Sequence, residues 1–144
     1  MTNYKKQIGI WLDYKEAFLV IIDEEKGGAP EVRHILSNIE WGVAKGGSHG
    51  KSPWAPQGGI NEQAFMARRQ KEEKIYFESI LREIDPDTCE LLIFGPAEAK
   101  LGLQRMIGGI KHYRPEVKAV ITAGAMTRNQ IVAQVRVFFA EKVA

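Results

Sequence analysis

Residues 7–37 read QIGIWLDYKEAFLVIIDEEKGGAPEVRHILS, three apolar runs parted by short polar breaks. In the first run Ile8, Ile10 and Leu12 alternate with Gly9, Trp11 and Asp13. This is the two-residue period of a strand whose faces meet different surroundings, and it predicts strand one over 7–13. Tyr14-Lys15 breaks the run, and 17–22 is then apolar on both faces, as a strand covered on both sides should be. After the polar turn at 23–28, residues 31–37 alternate weakly, with Val32, His34 and Leu36 opposite Arg33 and Ile35. That pattern predicts an edge strand guarded by charge. Neither break is long enough for a crossover helix, so the three strands form an antiparallel meander.

Beyond the meander the character of the chain changes. Residues 41–60, WGVAKGGSHGKSPWAPQGGI, are glycine-rich and basic, with no acid between Glu40 and Glu62. They predict a long loop at about 39–60, and a loop of that length inside a domain is usually functional or disordered. From Asn61 to Ile84 nothing breaks a helix. Ala64, Phe65 and Met66 form an early apolar group, and Ile75, Tyr76, Ile80 and Ile84 a later one at helical spacing. Between them RRQKEEK is polar on every side, so the first half of the helix is expected to project beyond the sheet, or to form a solvated face laced with ion pairs.

Asp85-Pro86-Asp87 ends that helix, because the residue before a proline avoids helical geometry. Residues 89–94 read as a short apolar strand, and 97–107 as a second helix with Pro96 at its first turn and Leu101, Met106 and Ile107 inside. Gly108-Gly109 stops it. Residues 117–122 form a fifth strand. Thr127-Arg128-Asn129-Gln130 is a capping box for a last helix whose Ile131, Val135 and Phe138 share a face. The order β-β-β-α-β-α-β-α, a meander followed by two crossovers, is the layout of the ribonuclease H-like α/β fold, with three antiparallel strands and then two parallel ones.

At 144 residues the chain is expected to be a single domain, 1–144, able to bury a core without staples. A net charge of +2 argues nothing for nucleic acid globally, so that case rests on where the charges cluster. Cys89 is the only cysteine, which excludes a disulfide framework and fits a reducing cytoplasm. The N-terminal apolar run reaches Asp13 too soon for a signal peptide, and no stretch approaches a membrane span. His34, His49 and His112 lack paired ligand spacing, so no metal and no cofactor is expected. Cys89 reads as a small buried hydrophobe. GGSHGKS is one residue short of a P-loop, and Pro53 follows where a helix should begin. Ser48 and Ser52 have no histidine and acid partners that the sequence places near them.

Two segments carry a family resemblance. LLIFGPAEAK, with Gly95, Pro96 and Lys100, resembles the G-P-G-F-x-K element in the middle domain of archaeal and eukaryotic class I release factors and of Pelota. Ala97 and Glu98 replace its second glycine and its aromatic. GGINEQAFMARRQKEEKIYF resembles the GGQ loop of the release factors and the long helix behind it. Gly58 and Gly59 fall on the paired glycines, Phe65 and Tyr76 on aromatic positions, and Arg69 on a basic one. That middle domain is ribonuclease H-like, in agreement with the layout. The resemblance implies a stand-alone bacterial release-factor-like protein consisting of a lone middle domain. Ile60 occupies the place of the glutamine that helps water reach the peptidyl-tRNA ester, and Gln57 precedes the glycines. In this the chain is similar to Pelota, which lacks GGQ and acts in rescue of stalled ribosomes.

The expected chemistry is therefore binding. Lys45, His49 and Lys51 in the loop, with Gln57, Gly58 and Gly59 at its end, and Arg68, Arg69, Lys71 and Lys74 on the helix form the candidate RNA contacts. Trp41 and Trp54 serve either as base-stacking platforms or as packed anchors. The alternatives are a protein-interaction module that keeps the fold, hydrolysis through Gln57, and a metal-dependent nuclease. The nuclease would use Asp13 with Glu62, Glu72, Glu73 or Glu78, but strand four supplies no acid. Asp13 is better read as a turn acceptor.

Overall fold

The computed structural model describes residues 6–23, 29–39, 58–84, 89–110 and 115–143. The alternating runs form strands β1 (Lys6–Leu12), β2 (Glu16–Asp23) and β3 (Glu31–Leu36), each within two residues of its expected bounds. Helix α1 (Gly58–Leu81) leads to β4 (Cys89–Gly95), α2 (Ala99–Gly108), β5 (Glu116–Thr122) and α3 (Arg128–Val143). The five strands lie in the order β3-β2-β1-β4-β5. β1–β2 and β2–β3 are antiparallel, and β1–β4 and β4–β5 parallel. The architecture is the expected ribonuclease H-like α/β arrangement.

Each sheet face has its own core. On one face Ile8, Ile10, Leu12, Leu19, Leu91 and Ile93 meet Tyr76, Phe77 and Ile80 of α1 and Leu103 and Ile107 of α2. On the other, Trp11, Val20, Leu92 and Phe94 meet Ile131, Val135 and Phe139 of α3. Gly9 lets α3 sit close, since a Cβ there would lie 2.2 Å from the Val135 side chain. Reciprocal bonds from Thr127 N to Gln130 Oε1 (2.9 Å) and from Gln130 N to Thr127 Oγ1 (3.1 Å) form the expected capping box.

Both sheet edges are guarded. On β3 the Arg33 side chain bonds Glu31 at 2.8 Å and Glu83, at the end of α1, at 2.5 Å. On β5 the register slips between Leu91 and Leu92, which face Val117 and Ala119 and leave Lys118 between them. Lys118 pairs with Glu116 at 2.7 Å, and a charged bulge of this kind discourages further strand pairing.

The structure corrects several details, and one is the end of α1, which stops at Leu81 and does not run on to Ile84. Helix α1 begins at Gly58, so the stretch Gly58–Ile60 belongs to the helix and not to the loop. Ile75 is 55% exposed, and Phe77 and Leu81 take the core positions beside Tyr76 and Ile80. In α3 the fully buried aromatic is Phe139, with Phe138 half-buried beside it at a T-shaped angle. Pro96 stands outside α2, which starts at Ala99, because Ala97 is left-handed (φ 53°) and Glu98 is the N-cap. Cys89 opens β4, but the expectation about its side chain lies outside the described residues.

Candidate nucleic-acid interface

Helix α1 supplies the candidate surface, and its two sides differ. Arg68, Lys71 and Lys74 are exposed, at three-residue intervals along the side turned away from Tyr76 and Ile80. Exposed Ile75 lies among them. Arg69, one residue along from Arg68 and two turns before Tyr76, sits on the body-facing side instead. Its Nε is 3.2 Å from Glu73, one turn on, and its guanidinium lies 5.6 Å from the centre of the Tyr14 ring. Of the four basic helix positions read from the sequence, three thus share the outer side, while Arg69 is engaged with the body. Gly58 and Gly59 open the helix, and Lys45, His49, Lys51 and Gln57 lie outside the described residues.

The foot of this helix is tied to the turn between β1 and β2. The Asp13 carboxylate accepts the backbone N–H of Lys15 (2.8 Å) and of Glu16 (2.9 Å), closing the turn. This is the acceptor role expected of Asp13. The Tyr76 hydroxyl donates to the Asp13 carbonyl at 2.8 Å. Burial, with the nearby Asp13 and Glu16 carboxylates, holds its pKa far above the ordinary tyrosine value. Tyr14 is raised as well, first by burial and then by Glu73. Neither tyrosine's partner was legible from spacing, since they are more than fifty residues apart in sequence and meet only when α1 crosses the sheet.

The turn from β4 into α2 explains its own residues. Gly95 has φ +147°, and a Cβ there would stand 2.2 Å from the Leu12 carbonyl oxygen, so only glycine fits. Pro96 follows. Ala97, in the left-handed region, occupies the place where the resembling motif has its second glycine, a cost of about 1–2 kcal/mol for an L-residue. Lys100, only 6% exposed, donates its Nζ to the Ala97 carbonyl and so braces that same turn. The motif residues Gly95, Pro96 and Lys100 build the scaffold at the carboxyl ends of β1 and β4, behind α1.

Among the described residues the candidate carboxylates do not assemble. Asp13 serves its turn, Glu73 pairs with Arg69, and Glu90 of β4 pairs with Lys118 at 3.7 Å. Among the described residues no three histidine, cysteine or acidic side chains stand together as a metal set, and no helix is long and apolar enough to cross a membrane.

No family model matches the chain, and no curated protein matches it. Solved structures do. The Pelota protein of Thermoplasma acidophilum superposes at a TM-score of 0.51 with 14% identity, over 100% of this chain and 42% of that one. An archaeal translation termination factor gives a TM-score of 0.41 with 12% identity, over 96% of this chain and 40% of that one. The chain therefore spans less than half the length of these structures. The likeness to Pelota is one of fold.

Proposed function

We propose that this chain is a translation-factor-like domain that associates with ribosomes or structured RNA in the cytoplasm, in ribosome rescue and without hydrolysing peptidyl-tRNA. The observation that carries the reading is the outer side of α1, where Arg68, Lys71 and Lys74 are exposed on a fold shared with Pelota over the whole chain. Three cations at such intervals suit a phosphate backbone, where each contact releases counterions. Lys45, His49 and Lys51, which precede the helix in sequence, would add further phosphate contacts, and Gly58 and Gly59 would let the backbone approach the RNA. The short motif resemblance at 58–77 and 91–100 supports the same reading, and Ile60 in place of the glutamine speaks against ester hydrolysis.

The test is co-sedimentation with ribosomes over a salt series, comparing the wild type with a variant in which Lys45, Lys51, Arg68 and Lys71 are changed to Glu. Binding that weakens steeply with salt and is lost in the variant supports the proposal. Absence of binding by the wild type at low salt sinks it. A second reading, docking of a protein partner, is favoured by Ile75, which stands exposed on the same side of α1. An apolar contact of that kind would hold as salt rises.

A further inference from the structure

We propose that the β1–β2 turn is a bracket that fixes the direction in which the first half of α1 is presented, with the Tyr14–Arg69 contact as its outer clamp. The inference concerns how the helix is held, and it stands independently of what the helix binds.

Three observations carry it. The turn itself is rigid. Asp13 donates its backbone N–H to the Glu16 carbonyl at 3.0 Å while its carboxylate accepts from Lys15 and Glu16, and Ser37 N ties to the Lys15 carbonyl at 2.9 Å. Next, α1 touches this turn at two heights. The inner contact is the Tyr76 hydroxyl on the Asp13 carbonyl, and the outer one, seven residues up the helix, is Arg69 over Tyr14. Burial of Tyr76, Phe77, Ile80 and Leu81 anchors the inner half of the helix, and the outer contact adds a further support on the same turn, nearer the exposed turns. Finally, above the clamp little else holds the helix. Of residues 62–68 only Phe65 is half-buried, the rest are exposed, and Met66, on the core-facing side, remains 57% exposed.

Charged groups of α1 and α2 flank the outer clamp. Glu73 of α1 holds Arg69 at 3.2 Å, and Glu98 and Arg105 at the two ends of α2 also act on Tyr14. Tyr14 and Arg69 are therefore positioning residues for the exposed face that carries Arg68 and Lys71.

Residue-resolved amide hydrogen exchange tests this on the full chain, for the wild type, Tyr14→Ala, Arg69→Gln and the double variant. Amides 62–68 should exchange about two- to five-fold faster in each single variant, the factor expected for losing one exposed cation–π contact. Amides of β4 should keep the wild-type rate, and the double variant should exchange no faster than the faster single one, because both changes break one contact. Unchanged rates at 62–68 in the single variants would overturn the proposal. So would additive effects in the double variant, since the two residues would then act separately. Equal acceleration in β4 would overturn it too, by assigning the pair to global stability.

Discussion

Within α1, Tyr76, Phe77, Ile80 and Leu81 are buried against the sheet, whereas the residues from Glu62 to Lys74 are exposed apart from half-buried Phe65, Arg69, Glu72 and Glu73. The backbone is the same 24-residue helix throughout. What changes is its surroundings: the apolar spacing stops where the sheet stops covering the helix, and charge takes over. One half is held by burial, and the other extends from it with Arg69 set over Tyr14 as its contact with the body. Core burial and exposed charge are thereby assigned to different turns of a single element.

The largest effect that can break this comparison is in the buried half. Ile80→Ala empties a fully buried site and should cost about 3–4 kcal/mol in urea denaturation, while Met66→Ala in the exposed half should cost under about 0.5 kcal/mol. Similar losses at the two positions would mean that the halves are not different. A smaller effect marks the boundary between them. Tyr76→Phe removes the bond to the Asp13 carbonyl and should cost about 1 kcal/mol.

Alkaline titration sharpens the same point. Because the folded-state pKa of Tyr76 is raised, its contribution is complete below the ordinary tyrosine value near pH 10 and is lost as pH rises above it, when the unfolded chain ionises first. Stability should then fall with an added slope approaching about 1.4 kcal/mol per pH unit, and Tyr76→Phe should lack that increment. An identical alkaline profile in the variant would show that the hydroxyl is not buried as described. The smallest effect belongs to the outer side. Arg68→Glu, Lys71→Glu and Lys74→Glu should each change stability by less than about 0.5 kcal/mol, so any loss of binding in them reports contact and not unfolding.

The strands and the last helix were legible because their signals are local. Ile8, Ile10 and Leu12 declare a period of two within one strand, and Thr127 with Gln130 declares a helix start within four residues. The misread details all depend on something distant. Whether Ile75 or Phe77 turns inward depends on the angle at which α1 crosses the sheet. The start of α2 at Ala99 depends on the left-handed Ala97, which Lys100 and the close approach of Leu12 to Gly95 hold in place. Of the candidate site, the charge was legible but the partner of Arg69 was not. Arg69 lies two turns before Tyr76 and so on the body-facing side, but only the fold shows that Tyr14 stands there to meet it.

The most direct test of the proposed interface is the salt dependence of binding to a structured RNA, followed by fluorescence anisotropy, for the wild type and for Arg68→Gln, Lys71→Gln and Lys74→Gln. The wild type should lose affinity linearly in log–log form as salt rises. Each substitution should flatten that line by about 0.7–0.9, one phosphate contact's share, with Arg69→Gln flattening it less because its side chain faces the body. A wild-type affinity independent of salt, or slopes unchanged by all three outer substitutions, would contradict the assignment of RNA contact to the outer side of α1.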